Sequence, residues 1–239
     1  KKCKEENEIS VVSIFVNPTQ FDNPEDLVKY PKTFREDTRL LESAQCDILF
    51  APDVKEVYDK KVTATSFYFD GLEHEMEGKF RTGHFDGVGT VVKRLFEIVA
   101  PNKAYFGEKD FQQLQIIKKM TEKQQLPVKV KGCEIYREKN GLAMSSRNSR
   151  LTEEHKNAAP FIFKTLQKAK IKFGVEDPST IIKWVEKEFE KQPLLTLEYF
   201  SIADEKTLKN IEKKDKKTQY RAFIAVFADQ IRLIDNIQI

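Results

Sequence analysis

The sequence has few of the residues that build disulfide frameworks or metal sites. Its three cysteines are far apart without a Cys-x-x-Cys pair, and its three histidines show no metal-ligand spacing. We therefore exclude a disulfide framework and a zinc site, and we expect a reducing, cytoplasmic setting. Any metal is expected to be held by carboxylates and substrate phosphates. The residues concerned are Cys3, Cys46, Cys133, His74, His84 and His155.

The sequence also lacks a strong charge of one sign and a long hydrophobic run. Its 41 Lys and Arg nearly balance its 38 Asp and Glu, and a net charge of +3 disfavours a dedicated nucleic-acid binder. The longest apolar runs, such as Val11–Val16, are too short to span a bilayer, so we expect no membrane insertion. The composition, 40% hydrophobic and 33% charged, is typical of a globular protein. The length of 239 residues allows one large domain or two modest ones.

The first part of the chain alternates short apolar segments with amphipathic ones. This alternation predicts parallel strands joined by right-handed helical crossovers, hence a doubly wound, Rossmann-like α/β domain. The predicted strands are Val11–Val16, Asp47–Phe50, Lys103–Gly107 and Val128–Gly132. The predicted helices are Asp37–Ser43, Gly89–Val99 and one capped by Asp110 that carries Leu114, Ile117 and Met120.

A change of composition predicts a boundary between domains 1–136 and 137–239. Thr152 and Asp177 are placed to cap helices in the second domain. Pro160 must kink or end the first of these helices, and the sequence leaves open which. The tail predicts antiparallel strands at Leu197–Ile202, Ala222–Phe227 and Ile231–Ile234. We therefore expect a small α+β second domain, and we predict that it acts as a lid.

Ligands of open α/β sheets bind beyond the carboxyl ends of the strands, so the loops after strands are candidate sites. Asn17 and Gln20 follow the first strand, where neutral amides suit a hydroxylated or carboxylate substrate. An ordinary proline turn would explain Asn17 equally well. After a later strand, Gly107, Lys109 and a helix N-terminus together predict an anion site for a phosphate, although a plain polar turn has the same composition.

Two further segments carry candidate ligand-binding side chains. Ser145, Ser146 and Arg147 lie on a glycine-led loop, where two hydroxyls and a planar guanidinium would clamp the β- and γ-phosphates of ATP. A Ser/Asn-rich linker between domains is the structural alternative. Arg81 and His84 precede the long helix and would bind a carboxylate, whereas a lone histidine at such a position is more often structural.

One pattern runs along nearly the whole chain and consists of Phe15–Phe21, Tyr30–Pro31, Arg81–Phe85, Phe106–Gln113, Met144–Asn148 and Arg232–Asn236. In this order the segments resemble the pantothenate synthetase, or pantoate–β-alanine ligase, family. Each motif is weak alone, but their common order is specific. The family belongs to the nucleotidyltransferase-like α/β group, so the resemblance implies the same fold class.

The resemblance implies a two-step, ATP-dependent ligase reaction in coenzyme A biosynthesis. The carboxylate of pantoate attacks the α-phosphorus of ATP, giving pantoyl-adenylate and pyrophosphate, and the amine of β-alanine then displaces AMP. Catalysis would rest on positioning and charge stabilisation by Lys109, Ser145, Ser146 and Arg147 together with Mg²⁺. The resemblance also implies a homodimer.

The resemblance further assigns binding residues. Gln20 and Gln113 would hold pantoate, with Asn17, Arg81 and His84 in the surrounding pocket. The first domain would bind ATP and pantoate, and the backbone near Tyr136 would face the adenine. The other residues implied for ATP are Gly107, Glu108, Lys109, Asp110, Met144, Ser145, Ser146 and Arg147.

One part of the family pattern does not occur in this sequence. The family's first strand and its Met-Gly-x-Leu-His-x-Gly-His loop are expected to be missing, because none of His74, His84 and His155 lies in a matching motif. We therefore expect that the chain by itself is not a competent enzyme. Two alternatives stay open: a related nucleotidyltransferase with a phosphorylated substrate, which Gln20 and Gln113 disfavour, and a non-catalytic nucleotide-binding module.

Overall fold

Strands and helices alternate as far as Cys133 in the computed structural model, which describes residues 1–20, 28, 33–58 and 63–239. Parallel pairing in this part and an antiparallel sheet in the C-terminal part give an α/β protein, and the predicted fold class is confirmed. The chain divides into two compact units. The first consists of Lys1–Phe69, Gly78–Tyr105 and Ile116–Lys131, and the second of Asp70–Glu77, Phe106–Gln115 and Gly132–Ile239.

Two short parallel strands, β1 (Val11–Ser13) and β2 (Ile48–Phe50), lie in the first unit. The helix Phe34–Ser43 lies between them in the chain, as the strand–helix pattern predicted. The predicted strand Val11–Val16 was too long. Its partner β2 ends before Pro52, whose nitrogen has no hydrogen to donate to a further pair. Two shorter helices of this part are Lys2–Glu6 and Val54–Val57.

The helix His84–Val99 supplies much of the buried apolar surface of the first unit. It begins before the predicted start at Gly89, which was therefore wrong. Gly83 precedes the helix at φ +78°, a left-handed conformation that glycine adopts without strain, and so fixes an earlier start. The buried apolar side chains of the helix recur at helical spacing and are Phe85, Val88, Val91, Val92 and Phe96.

A second two-stranded sheet contains β3 (Lys103–Gly107) and β4 (Lys129–Cys133). The helix Phe111–Lys123 connects them, and it buries Leu114, Ile117 and Met120 at the predicted spacing. Asp110, the predicted cap, is the last residue of a 3₁₀ turn, Glu108–Asp110, that leads directly into this helix. The strand–helix–strand arrangement thus places the predicted anion loop at the end of β3.

The core of the second unit lies between an antiparallel sheet and two helices. The sheet has the order β5 (Thr196–Asp204), β6 (Tyr220–Ala228), β7 (Ile231–Gln238), so the predicted strands are confirmed and are longer than predicted. The helices are Pro160–Phe173 and Pro178–Glu190. Their apolar faces and one face of the sheet share a core that includes Ile162, Leu166, Ile181, Val185, Ala222 and Ile224.

Thr152 and Pro160 set the ends of the helices that open this region. The Thr152 hydroxyl accepts a hydrogen bond from the His155 amide at 3.3 Å, so the predicted cap of the helix Glu153–Ala158 is confirmed. Pro160 is the first residue of the next helix. The proline therefore ends one helix and begins another, because the first position of a helix needs no backbone N–H donor.

Two sequence predictions concern the chain as a whole. The predicted boundary at residues 136 and 137 lies close to Gly132, where the last stretch of the second unit begins. The division into domains 1–136 and 137–239, and the lid role of the second, stay predictions. Within the described ranges, no helix is long and apolar enough to cross a membrane.

Candidate active site

The loop predicted to bind phosphate is a 3₁₀ turn between β3 and the helix Phe111–Lys123. Gly107 ends the strand with an extended backbone, and Glu108–Asp110 forms the turn. A Cβ atom built on Gly107 would meet no described atom within 4 Å. The protein's own packing therefore does not demand glycine here, and the open space beside the backbone is available to a ligand.

Lys109 carries the positive charge of this turn. Its side chain is 20% exposed, and its Nζ lies 3.7 Å from Asp110 Oδ2, longer than a close ion pair. The first amide groups of a helix have no partners within the helix and point toward its N-terminal end. Together, the ammonium and these amides form a favourable environment for a phosphate.

Two adjacent glutamines at the start of the helix have different surroundings. The Gln112 side chain is buried, donates to the carbonyls of Leu72 (2.8 Å) and Glu75 (2.7 Å), and accepts from the amide of Glu77 (3.0 Å). Gln113 is half-buried and makes no side-chain hydrogen bond to residues in the described part of the chain. Gln112 is thus committed to the fold, whereas the amide of Gln113 is available to a ligand.

A hairpin brings Tyr136 beside Met144, two residues that the resemblance implies for ATP. The Met144 amide donates to the Tyr136 carbonyl at 2.9 Å, and Glu138 donates to Leu142 at 2.8 Å. Gly141 forms the turn at φ +95°, where a residue with a side chain would be strained. Tyr136 and Met144 are 77% and 49% exposed, so the hairpin presents a small apolar surface.

Ser145, Ser146 and Arg147 follow directly on the hairpin. Ser145 Oγ accepts from the Arg147 amide at 3.3 Å and caps the 3₁₀ segment Ser146–Arg150. Asn148 is buried beneath the loop and donates to Glu138 Oε1 at 2.8 Å and to the Ala143 carbonyl at 3.1 Å. The loop therefore has a defined backbone that leaves Ser146 exposed.

Two buried polar residues of β7 that received no role from the sequence hold both of these loops. The Asp235 carboxylate accepts two hydrogen bonds from Arg137, at 2.6 and 2.9 Å. Asn236 donates to the carbonyls of Glu108 and Lys109, both at 2.9 Å. Burial raises the pKa of Asp235, and the Arg137 guanidinium opposes that rise. Two adjacent polar residues flanked by Ile234 and Ile237 were the available signal.

In the first unit, Asn17 is buried and hydrogen-bonded within the protein. Its Oδ1 accepts from the Tyr58 hydroxyl (2.7 Å) and the Thr19 hydroxyl (3.0 Å), and its Nδ2 donates to the Gly87 carbonyl (3.3 Å). Burial raises the pKa of Tyr58, which keeps its hydroxyl protonated as a donor. Asn17 therefore shapes the turn Pro18–Gln20 rather than standing free in a pocket.

Arg81 and His84 contact each other at the start of the helix His84–Val99. Arg81 Nη1 lies 3.2 Å from His84 Nε2, and His84 is buried. A guanidinium can only donate, so this contact requires an unprotonated Nε2. Gln20 ends the turn Pro18–Gln20, but its predicted role lies outside the described residues because its side chain is not described.

Among the described residues, no group of three or more His, Cys, Asp and Glu side chains could hold a metal ion.

Comparison with known proteins decides the family. A family model described as pantoate-beta-alanine ligase matches residues 1–238. The chain belongs to the pantoate–β-alanine ligase family. Residues 107–113 and 144–148 of the family pattern are the two loops described above.

Similar relatives carry the same family name. The pantothenate synthetase of Christiangramia forsetii is 57% identical over 228 residues, which cover 95% of this chain and 81% of the relative. The pantothenate synthetase of Flavobacterium psychrophilum is 53% identical over 240 residues, covering 100% of this chain and 85% of the relative.

Solved structures of the pantoate–β-alanine ligase family share this fold. Pantothenate synthetase from Thermus thermophilus matches with a TM-score of 0.91 and 36% identity, over 98% of this chain and 85% of its own. The ligase from Francisella tularensis, solved in complex with beta-gamma ATP and β-alanine, matches with a TM-score of 0.81 and 33% identity, over 99% of this chain and 82% of its own.

The residues implied by the family divide between the two compact units. Asn17, Arg81 and His84 belong to the first unit. All residues implied for ATP belong to the second unit, and so does Gln113. Their roles in binding and catalysis stay predictions.

Proposed function

We propose that this chain uses ATP to join pantoate to β-alanine through a pantoyl-adenylate, with release of pyrophosphate and AMP. One observation supports the proposal beyond family membership. Gly107–Asp110 and Met144–Arg147 are far apart in the sequence, yet they belong to one compact unit and are both held by β7. A pair of loops rich in amides, hydroxyls and cations suits a polyphosphate.

In the proposed first step, the pantoate carboxylate attacks the α-phosphorus of ATP. Lys109 and the amides of its turn stabilise the negative charge that builds on the phosphoryl oxygens. Ser145, Ser146 and Arg147 hold the β- and γ-phosphates, which leave as pyrophosphate. Mg²⁺ would neutralise phosphate charge, and the half-exposed Asp110 is the carboxylate of this turn that would hold it.

In the proposed second step, the β-alanine amine attacks the acyl carbon of the adenylate and AMP leaves. Positioning of the acyl group is then the main task of the protein. Gln113, whose side-chain amide makes no hydrogen bond to described residues, and Gln20 are the candidates for holding pantoate, and the family resemblance supports Arg81 and His84 as further substrate-binding residues. Neutral amides suit an unphosphorylated hydroxy acid better than a phosphorylated one.

Nucleotide assays test the reaction. Pantoate-dependent exchange of pyrophosphate into ATP reports the first step, and β-alanine-dependent AMP release reports the second. Both activities are expected in a form of the protein that carries the family's histidine loop. Exchange that needs no pantoate, or that needs a phosphorylated acid instead, would point to another nucleotidyltransferase, and ATP binding without exchange would point to a non-catalytic module.

We also propose that these 239 residues do not complete adenylation without the family's His-x-x-His loop. The three histidines present do not form that motif. The test compares this chain with a form that also carries the histidine loop of a relative. Exchange is expected only in the second form, and equal activity in both would refute the proposal.

A homodimer in a reducing cytoplasm is proposed for the same protein. The family resemblance supports the dimer, and the free cysteines Cys3, Cys46 and Cys133 suit a reducing compartment. Sedimentation equilibrium should give twice the mass of the chain. A monomer at micromolar concentration would exclude the dimer.

A further inference from the structure

The neighbouring residues Asp235 and Asn236 lie near the centre of β7, and both are almost fully buried. Side chains of neighbouring residues in a strand point to opposite faces of a sheet. Asn236 lies opposite Phe223, which contacts the ring of Phe111 at the start of the helix. Asp235 lies opposite Ile224, on the face that forms the core with the helices. The side chains of Asp235 and Asn236 therefore lie on opposite faces of the sheet.

Asn236 fixes the turn that carries Lys109. Its Nδ2 donates one hydrogen to the Glu108 carbonyl and the other to the Lys109 carbonyl, each at 2.9 Å. Its Oδ1 accepts from Arg221 Nη1 at 2.6 Å. Because a guanidinium has no acceptor, this contact fixes which end of the Asn236 amide faces the turn. The amide can therefore hold the two carbonyls in only one orientation.

Arg221 strengthens the same attachment. Its guanidinium lies 4.0 Å from the centre of the Phe111 ring and is 3.5 Å from Glu108 Oε2. Glu205 accepts from its Nε at 2.8 Å. Arg221 is therefore held on three sides, and the position of Asn236 Oδ1 is set by a rigid partner.

Asp235 fixes the hairpin that leads to Ser145. Its carboxylate pairs with the planar fork of Arg137 through two hydrogen bonds. Asp235 Oδ1 also accepts a hydrogen bond from the backbone N–H of Asn236 at 2.8 Å. Arg137 in turn donates to the Gly141 carbonyl at 3.1 Å and lies 3.6 Å from the centre of the Phe163 ring. Arg137, at the base of the hairpin, thus connects Asp235 of β7 with the turn of the hairpin at Gly141.

We propose that Asp235 and Asn236 are positioning residues that set the distance between the Lys109 turn and the Ser145–Arg147 loop. This inference rests on the proposed function, because it assumes that both loops hold one ATP. Neither residue needs to touch the nucleotide. A displacement of about 1 Å at a reacting group is enough to lower a rate by about a hundredfold.

Two nearly isosteric substitutions and a matched control test the proposal. Asn236→Asp replaces the donor that faces two carbonyls with an acceptor, and Asp235→Asn removes the charge that orients Arg137. Glu77→Gln is the control, because Glu77 also accepts two hydrogen bonds from an arginine of β7, Arg232, and neither of these residues belongs to either loop.

ATP and pantoate are titrated separately into each variant, and pyrophosphate exchange is followed in a form that carries the histidine loop. Asp235→Asn and Asn236→Asp should weaken ATP binding at least about tenfold and lower kcat of exchange about 10- to 100-fold, with pantoate affinity unchanged within about twofold. Glu77→Gln should leave ATP affinity and kcat within about twofold, even where it lowers Tm equally.

Equal effects in all three variants would mean that Asp235 and Asn236 only support the fold, and would overturn the proposal. If Asn236→Asp does not fold, Arg221→Lys serves in its place, because lysine keeps the charge and loses the planar fork that orients the Asn236 amide. If Asp235→Asn does not fold, Arg137→Lys replaces it for the same reason. Absence of pantoate-dependent exchange in the unsubstituted form that carries the histidine loop would instead refute the proposed function.

Discussion

At the scale of single residues, Lys109 is the side chain that the proposed chemistry needs most. Its ammonium is partly exposed at the N-terminal end of a helix and is not tightly paired with Asp110. In the form that carries the histidine loop, Lys109→Ala should lower adenylate formation by about 10²–10³, the usual loss for one transition-state donor. Lys118→Ala, at an exposed position of the same helix, is the control. If Lys109→Ala exchanged pyrophosphate as fast as the protein without the substitution, Lys109 would have no role in adenylate formation.

The two adjacent glutamines offer a matched pair of substitutions. Gln113→Ala should weaken the binding of pantoate about tenfold or more. Truncation of the side chain would leave a polar group of pantoate unpaired, at a cost of about 1–3 kcal/mol. The midpoint of urea unfolding should stay unchanged. Gln112→Ala should instead lower the free energy of unfolding by about 2 kcal/mol or more, because three backbone groups lose their partner. If Gln113→Ala lost affinity for ATP and kept its affinity for pantoate, Gln113 would be assigned to nucleotide binding instead.

A glycine in the first unit determines how closely a turn approaches a helix. A Cβ atom on Gly87 would lie 2.3 Å from the Thr19 carbonyl oxygen, so the turn Pro18–Gln20 would have to move. Gly87→Ala should lower the free energy of unfolding by about 1–3 kcal/mol and should also weaken the binding of pantoate. Gly107→Ala, which meets no described atom within 4 Å, should change stability by less than about 0.5 kcal/mol. Both are measured by urea unfolding, and equal stabilities would contradict the packing argument.

At the scale of elements, the two loops held by β7 should respond to ATP together. A non-hydrolysable ATP analogue with pantoate should slow hydrogen exchange of the backbone amides in Gly107–Asp110 and in Gly141–Asn148. The reason is that phosphate groups would contact amides and hydroxyls of both segments. The largely exposed segment 209–217 should not change. If only the first loop is protected, Ser145, Ser146 and Arg147 do not bind ATP.

The order and type of the main elements were predictable because they depend on local patterns. Helix 111–123 and strands β5 to β7 follow from apolar spacing of about 3.6 and 2 residues. Element ends were less predictable. β1 is short because its partner β2 ends before Pro52, and the helix His84–Val99 starts early because Gly83 takes a left-handed conformation. Both causes are contacts or conformations that a window of sequence does not contain.

At the scale of the whole molecule, two carboxylates link the N-terminal residues to the rest of the first unit. Hydrogen bonds from Lys4 and Ser10 lower the pKa of Asp47, and those from Lys131 and Tyr105 lower the pKa of Glu6. A carboxylate with a lowered pKa stabilises the fold above its ordinary pKa near 4, and that stabilisation is lost as the pH falls further. The protein should therefore lose stability below about pH 4 to 5.

The substitution Asp47→Asn isolates this effect. It should lower Tm at pH 7 and should reduce the fall in Tm between pH 5 and about pH 3, because one group that takes up a proton on unfolding is removed. Circular dichroism melts at several pH values measure it, with Glu36→Gln as a control on an exposed helix position. A pH dependence identical to that of the unsubstituted protein would show that Asp47 does not contribute.

The sequence by itself determined the fold class, the main elements and the resemblance to a ligase family, because these depend on local periodicity and on short motifs in order. Only the tertiary structure decided that Gln112 rather than Gln113 is committed to the fold, that Asn17 is hydrogen-bonded within its unit, and that Asp235 and Asn236 hold both loops. Asn236 lies 127 positions from Lys109 in the chain. A hydrogen bond over that separation depends on how the strands and helices pack, so no local pattern could reveal it.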